Sequence, residues 1–245
     1  MLLALHGFTG SPDSWGFLRD GGRHYLAPAL VGHAGSDETA RIIGFEDEVD
    51  RLARLAAGTP NDGPVHVVGY SLGARLALGL ALRHPERVAR LTLISGHPGL
   101  ASEVERSARR DADSAWVELL LGRGVPAFVD AWETLPLWAT QAELSESKRG
   151  RRRAERLSHD AAGLARSLRV TGLGEMPYYA DRLGEIGVPV DILAGELDLK
   201  FSSLARSMAE RLRHPTLEVV PGAGHDLLLE RPEFVTEVIR RGIQT

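Results

Sequence analysis

Gly69-Tyr70-Ser71-Leu72-Gly73 sets a serine between two glycines, directly after an apolar run and directly before a helical stretch. Such a turn holds serine in a strained backbone conformation, and the small flanking residues let strand and helix pass closely. The alternative for a glycine-rich turn is a phosphate loop, but the Lys-Ser/Thr and the glycine spacing of such a loop are missing here. A serine hydroxyl becomes reactive when an imidazole takes its proton and a carboxylate steadies that imidazole. In a strand–turn–helix setting the partners follow in the order serine, acid, histidine. Of nine histidines, His225 is the best placed, in Pro221-Gly222-Ala223-Gly224-His225 after the apolar run 217–220; the alternative is a surface-loop histidine. Asp198, in Gly195-Glu196-Leu197-Asp198 past the run 190–194, is the candidate acid. Glu196 is the weaker competitor, and Asp191 stands at the beginning of that run, the wrong edge of a sheet. Developing negative charge needs two backbone N–H groups. Leu72, after the serine, supplies one, and Phe8, in His6-Gly7-Phe8-Thr9-Gly10, supplies the other. His6 is a spare base or, at a strand end, a brace for this loop.

These groups need a scaffold that delivers them to one edge. Short apolar runs at 2–5, 24–27, 65–68, 91–94, 190–194 and 217–220, closed by Gly, Pro or Ser, predict buried strands. Helices are predicted at 45–57, 72–83, 203–213 and 232–241. In the first of these, Asp50, Arg51 and Arg54 face water while Val49, Leu52, Ala53 and Leu55 face inward. Strand–helix alternation of this kind predicts an α/β fold, a mostly parallel sheet with helices on both faces. The alternation stops between residues 100 and 182, a stretch rich in Ala, Leu, Arg and Glu that holds three of the four tryptophans. We expect a helical cap at 100–182, inserted into a core made of 1–99 and 183–245. The basic run Lys148-Arg149-Gly150-Arg151-Arg152-Arg153 reads as a solvated helix end or loop.

Composition narrows the class. With 245 residues, 43% hydrophobic and 25% charged, the chain has the makeup of an ordinary globular protein. Lys+Arg 29 against Asp+Glu 33 leaves −4, so no basic field points to nucleic acid. The absence of cysteine removes disulfides, Cys–Zn sites and thiol nucleophiles together. Apolar runs are strand-sized, short of the roughly 20 residues of a membrane span. The start, Met1-Leu2-Leu3-Ala4-Leu5-His6-Gly7, has no basic leader and reads as a strand rather than a signal peptide, which predicts a cytoplasmic address.

At this point the chain resembles the α/β-hydrolase superfamily along nearly its whole length. In detail it resembles the 2-succinyl-6-hydroxy-2,4-cyclohexadiene-1-carboxylate (SHCHC) synthases of menaquinone biosynthesis. The likeness rests on Gly69-Tyr70-Ser71-Leu72-Gly73-Ala74-Arg75, although that family often has Gly at the position of Ala74. It rests also on Ser95-Gly96-His97-Pro98-Gly99-Leu100, followed by Glu105-Arg106, Arg109, Asp113 and Trp116. Trp132 with Pro136-Leu137-Trp138 matches a Trp-x-x-x-Pro-aromatic stretch, with Trp138 larger than the usual Phe. Gly195-Glu196-Leu197-Asp198-Leu199-Lys200-Phe201 matches the acid loop, and a weaker likeness aligns Arg156 with a substrate-binding arginine. The resemblance implies substrate contacts from Tyr70, Arg75, Arg109, Trp132 and Arg156.

Arg75 lies one helical turn after Ser71 and shares its face. A desolvated guanidinium there calls for an anion, and Arg109 and Arg156 on a folded-over cap would add further carboxylate forks. The alternative is that these arginines lie on solvated faces beside Glu103, Glu105 or Asp111. Trp132 is either packing between cap and core or a pocket wall.

The resemblance implies a lyase in which Ser71 acts as a base, with no metal or organic cofactor. It eliminates pyruvate from 2-succinyl-5-enolpyruvyl-6-hydroxy-3-cyclohexene-1-carboxylate. A serine hydrolase, either a carboxylesterase or a C–C bond hydrolase, is the alternative, and a non-catalytic binder of the same fold is a third reading. The partner expected is a small anionic molecule, with neither nucleic acid nor a membrane span, and the oligomeric state is left between a monomer and a weak dimer.

Overall fold

A computed structural model describes residues 1–21, 25–33, 41–58 and 63–244. The apolar runs form one six-stranded parallel sheet. Its strands are β1 (Leu2–Leu5), β2 (Tyr25–Leu26), β3 (Val65–Tyr70), β4 (Val88–Ile94), β5 (Val190–Gly195) and β6 (Pro215–Val220), in the spatial order β2-β1-β3-β4-β5-β6. The run expected at 24–27 contributes only β2, and His24 lies outside the described residues.

Period-two alternation divides each strand between two cores. Leu3, Leu5 and Val67 face one side and pack with α1 (Phe45–Ala57) and α2 (Leu72–Arg83). Leu2, Ala4 and Val68 face the other, with Trp15 and with Val235, Val238 and Ile239 of α8 (Pro232–Gln244). Both faces are covered, which is why the strands read as nearly unbroken apolar runs.

Between β4 and β5 the chain forms α3 (Glu103–Trp132), α4 (Glu146–Leu157) and α5 (Ala161–Thr171), with 3-10 segments at Pro136–Glu143 and Ala180–Glu185. Among the described residues this stretch contains no strand. α3 breaks at Gly124, where φ is 78° and Pro126 follows. A small core of Leu120, Phe128, Val129, Leu164 and Leu168 holds the stretch together, with Phe8 and Trp132 packed against it. After β5 come α6 (Leu199–Ala209) and the short α7 (Leu227–Glu230). Among the described residues no helix is long and apolar enough to cross a membrane.

Four expectations need correction. α6 begins at Leu199 rather than 203, because the Asp198 carboxylate accepts the Phe201 N–H at 3.3 Å and caps the helix there. Arg51 does not face water: its Nε donates to Glu48 Oε2 at 2.7 Å and its Nη2 to Ala29 O at 2.9 Å, in a buried pair that fixes the chain after β2. Leu55 is only half-buried. Within the basic run, Arg149 and Arg151 are exposed but Arg152 is buried between carboxylates.

Strand register decides what meets at the carboxyl edge. Leu5 pairs with Gly69, Tyr70 with Ile94, Ile94 with Leu193, and Gly195 with Val220. The turns that follow these strands therefore share one rim. The sheet grows outward to both sides of the β1–β3 pair, and open α/β sheets hold their ligands at such a switch point. Crossing of β1 and α2 is tight: a Cβ on Gly73 would lie 2.1 Å from Leu5 O, and one on Gly69 would lie 2.2 Å from Gly73 O. Replacing Gly73 by alanine must push a backbone carbonyl aside. We expect Gly73→Ala to lower unfolding free energy by roughly 1–3 kcal/mol, measured by urea denaturation, and unchanged stability would contradict this close passage.

Candidate active site

Ser71 ends β3 and starts α2 with φ 52° and ψ −106°. Its N–H donates to Ile94 O at 2.9 Å, and its carbonyl accepts the Arg75 N–H at 3.1 Å, so both neighbouring elements fix the turn. Ser71 Oγ lies 3.1 Å from His225 Nε2, and His225 Nδ1 lies 2.6 Å from Asp198 Oδ2. An ionised carboxylate only accepts, so the proton sits on Nδ1 and Nε2 is left free to receive the serine proton. The second Asp198 oxygen caps α6, so one carboxylate orients both the helix and the imidazole. Glu196, the competing acid, instead accepts the Gly222 N–H at 2.9 Å, and Asp191 pairs with Arg90 at the amino end of the strands.

The histidine is held from several sides. Its ring packs between Phe201 at 4.4 Å and Tyr70 and Trp138, both at 5.6 Å. Its carbonyl accepts the Ser95 hydroxyl at 2.9 Å, and Ser95 itself has φ 49°. On one flank, Glu230 accepts the Gly224 N–H at 2.7 Å and the Thr140 hydroxyl at 2.9 Å. On the other, Asp226 pairs with Arg152 of α4 at 2.8 Å. Arg152 also meets Glu155 at 2.6 Å, whose carboxylate accepts the Ser11 and Ser14 hydroxyls at 2.7 and 2.6 Å. One buried network thus ties α4 to both the His225 loop and the loop after β1.

Phe8 and Leu72 border the same cavity, and neither N–H donates a hydrogen bond among the described residues. The Phe8 loop is braced from behind. His6 Nδ1 donates to Gly7 O at 2.8 Å while its Nε2 accepts the Leu30 N–H at 3.2 Å. His33 Nε2 accepts the N–H of Thr9, a residue with φ 63°, at 3.1 Å. His6 is therefore a brace and stands apart from the Ser71 hydroxyl. Burial pushes its pKa down to about 4 and pushes His33 well below its ordinary value.

A cavity of about 340 Å³ opens over Ser71 and His225. Trp116, Trp132 and Trp138 line one side, and Arg75, Arg109, Asp113, His97 and Lys200 supply the polar groups. Arg75 Nη1 donates to Thr171 O at 2.9 Å, and Arg109 Nε to Asp113 Oδ1 at 2.9 Å. Burial, then the like charge of Arg109, lowers the Arg75 pKa to about 9, with Asp113 opposing. Burial raises the Asp113 pKa, against the pull of Arg109.

The α/β hydrolase family model matches residues 2–238. A Bacillus subtilis (strain 168) protein named "Putative 2-succinyl-6-hydroxy-2,4-cyclohexadiene-1-carboxylate synthase" is 35% identical over 97% of this chain and 88% of its own. An Enterobacter sp. (strain 638) protein bearing the name 2-succinyl-6-hydroxy-2,4-cyclohexadiene-1-carboxylate synthase is 33% identical, over 96% of this chain and 88% of its own. The chain belongs to the SHCHC synthase family of α/β hydrolases. The solved structure of MenH from S. aureus is similar throughout, with a TM-score of 0.94 and 30% identity, covering 99% of this chain and 92% of that one.

Against the residue set implied by resemblance to this family, Tyr70, Arg75, Arg109 and Trp132 all border the cavity. Trp132 is both wall and packing, since Phe8, Trp116 and Phe128 surround it within 5.5 Å. Arg109 pairs with Asp113, whereas Glu103 binds Arg106 and Arg110, and Glu105 closes the capping box with Ser102. Arg156 is buried behind the wall: its guanidinium lies 4.9 Å over the Trp138 ring and bonds Glu133 at 2.9 Å. It borders a small adjoining space shared with Tyr70, Arg152 and Asp226 rather than the main cavity. His97, Trp138, Lys200 and Phe201 were visible only as parts of resembling motifs, and the cavity places all of them beside the triad.

The buried histidines make a pH prediction with a definite sign. Unfolded, His6 takes a proton near 6.5, but folded it does so only near 4. Stability from the brace is complete above pH 6.5 and declines as pH falls from 6.5 toward 4, by at most ~3 kcal/mol for His6. Replacing the ring in His6→Asn keeps a donor for Gly7 O and removes the titration. Its unfolding midpoint should be lower at pH 7 and depend less on pH between 6.5 and 4; a slope equal to wild type would reject the assignment.

Proposed function

We propose that this chain is a carbon–oxygen lyase of SHCHC synthase type, with Ser71, His225 and Asp198 as its catalytic groups. His225, steadied by Asp198, takes the Ser71 proton, and the alkoxide removes a ring proton from 2-succinyl-5-enolpyruvyl-6-hydroxy-3-cyclohexene-1-carboxylate. Electron density moves onto the succinyl carbonyl, held by the Phe8 and Leu72 N–H groups. The ring C–O bond then breaks with its electron pair leaving on the enolpyruvyl oxygen. His225 returns its proton to the departing group, which becomes pyruvate, and Ser71 retains the ring proton. As written, the chemistry calls for no metal or organic cofactor.

The observation that carries this reading is the pairing of an assembled Ser71–His225–Asp198 set with Arg75 and Arg109 in one cavity. A cavity for neutral acyl groups gains nothing from guanidinium groups that must be desolvated, whereas several substrate carboxylates compensate them. Tyr70 and Trp132 fit the same reading as wall contacts, and Arg156 as support behind Trp138. In this reading residues 100–182 are a cap over a core of 1–99 and 183–245. The protein works in the cytoplasm on a small anionic molecule, as a monomer or weak dimer.

Release of pyruvate from the enolpyruvyl substrate tests the proposal. Wild type should release one pyruvate per substrate, and Ser71→Ala should lose on the order of 10³-fold or more. Brisk ester cleavage without pyruvate, or an acyl group trapped on Ser71 during turnover, would favour a hydrolase instead. Arg75→Ala and Arg109→Ala should each raise KM by an amount worth roughly 1–3 kcal/mol, and unchanged kinetics in both would remove these arginines from substrate binding.

A further inference from the structure

His97 has no part in the proton transfers above, yet it occupies a costly position. It follows β4 in the turn Ser95-Gly96-His97, is 7% exposed, and borders the cavity over Ser71. Its Nδ1 accepts the Gly99 N–H at 3.1 Å, so the ring proton resides on Nε2. Among the described residues the ring's hydrogen bond is the one at Nδ1, and Nε2–H meets no protein acceptor. Burial comes first, then the charges of Lys200, Arg75 and Arg109, in pushing the His97 pKa down to about 3. The imidazole is therefore a neutral donor at neutral pH, in a cavity already crowded with cations.

The charges around it do not balance. Arg75, Arg109 and Lys200 border the cavity against Asp113, and Asp113 is engaged by Arg109. Among the described residues Arg75 finds only the Thr171 carbonyl. These groups come from different elements: Arg75 from α2, Arg109 and Asp113 from α3, His97 from the turn after β4, and Lys200 from the first turn of α6. Phe201 lies between the two histidines, 6.3 Å from the His97 ring and 4.4 Å from His225, so the His97 side of the cavity adjoins the triad. A neutral donor suits this place. It offers a hydrogen bond to an incoming oxygen without adding a further like charge to the cavity.

We propose that the His97 Nε2–H and the Lys200 ammonium together form a second carboxylate-binding pair, separate from Arg75 and Arg109, so that the cavity selects molecules carrying at least two carboxylates. The assignment rests on the polycarboxylate substrate of the proposed function and names the residues that distinguish such a substrate from a monocarboxylate. His97 is a specificity-determining residue here, and the chemistry stays with Ser71 and His225.

Side-chain geometry gives a test that separates recognition from folding. The Asn side-chain oxygen overlays Nδ1, so His97→Asn preserves the Gly99 contact and removes the donor at Nε2. The longer Gln side chain reaches the Nε2 position, so His97→Gln restores that donor. In pyruvate release, His97→Asn and Lys200→Gln should each raise KM about tenfold with kcat little changed, and His97→Gln should recover most of the loss. Trp116, Trp132 and Trp138 line the cavity and report binding by fluorescence. Tricarballylate should bind wild type more tightly than butyrate does, and about tenfold more tightly than it binds either variant, with butyrate affinity unaltered. Unchanged KM and unchanged tricarballylate affinity in both variants would overturn the pair, as would a loss confined to kcat that His97→Gln fails to recover. If wild type releases no pyruvate, the lyase reading fails, and the tricarballylate comparison still decides the pair.

Discussion

Ser71 occupies a backbone conformation that a residue with a Cβ adopts only under constraint, at φ 52°. That strain, of order 1–3 kcal/mol, is held by the hydrogen bond to Ile94 O and by the tight crossing of α2 over β1, which leaves no room for a side chain at Gly73. Every other feature of the site is arranged relative to this point. The hydroxyl projects from the sheet edge where His225 waits 3.1 Å away, and Leu72 opens the helix beside it and borders the same cavity. A relaxed turn would sink the hydroxyl into the strand and orphan the histidine.

The rest of the molecule preserves that geometry by reciprocal contacts. Asp198 serves the imidazole with one oxygen and the N-terminus of α6 with the other, so the acid cannot drift without loosening a helix. Arg152, Glu155 and Asp226 connect α4 to both loops that flank the serine. The buried charges there compensate one another, and removing one partner would strand the rest in a medium of low dielectric. The helical stretch after β4 is therefore bound into the site's own scaffold. Trp116, Trp132, Trp138 and Arg109 of this stretch border the cavity that holds Ser71 and His225.

Much of this was readable from residue order alone. Runs such as Val65–Tyr70 and Leu2–Leu5 announce buried parallel strands because both faces are covered, and Leu72–Arg83 reads as a helix from its apolar makeup. Helical periodicity places Arg51 on the wet face, because a charge belongs there unless a partner is known. Glu48 supplies that partner inside the fold, and it also caps the loop at Val31. α6 starts earlier than its apolar pattern suggests because Asp198 caps the helix as well as holding the histidine.

The sequence by itself determined the parallel sheet, the helical stretch between β4 and β5, and the order in which serine, acid and histidine follow their strands. These depend on hydrophobic period and turn chemistry, which are local. Only the tertiary structure decided which charges meet. Asp113 rather than Asp111 receives Arg109, Arg156 retreats behind Trp138, and His97 comes to border the cavity beside Lys200. The Arg109–Asp113 pair lies one turn apart on α3, but the other two join residues distant along the chain and depend on how side chains desolvate against one another, a quantity that no local pattern encodes.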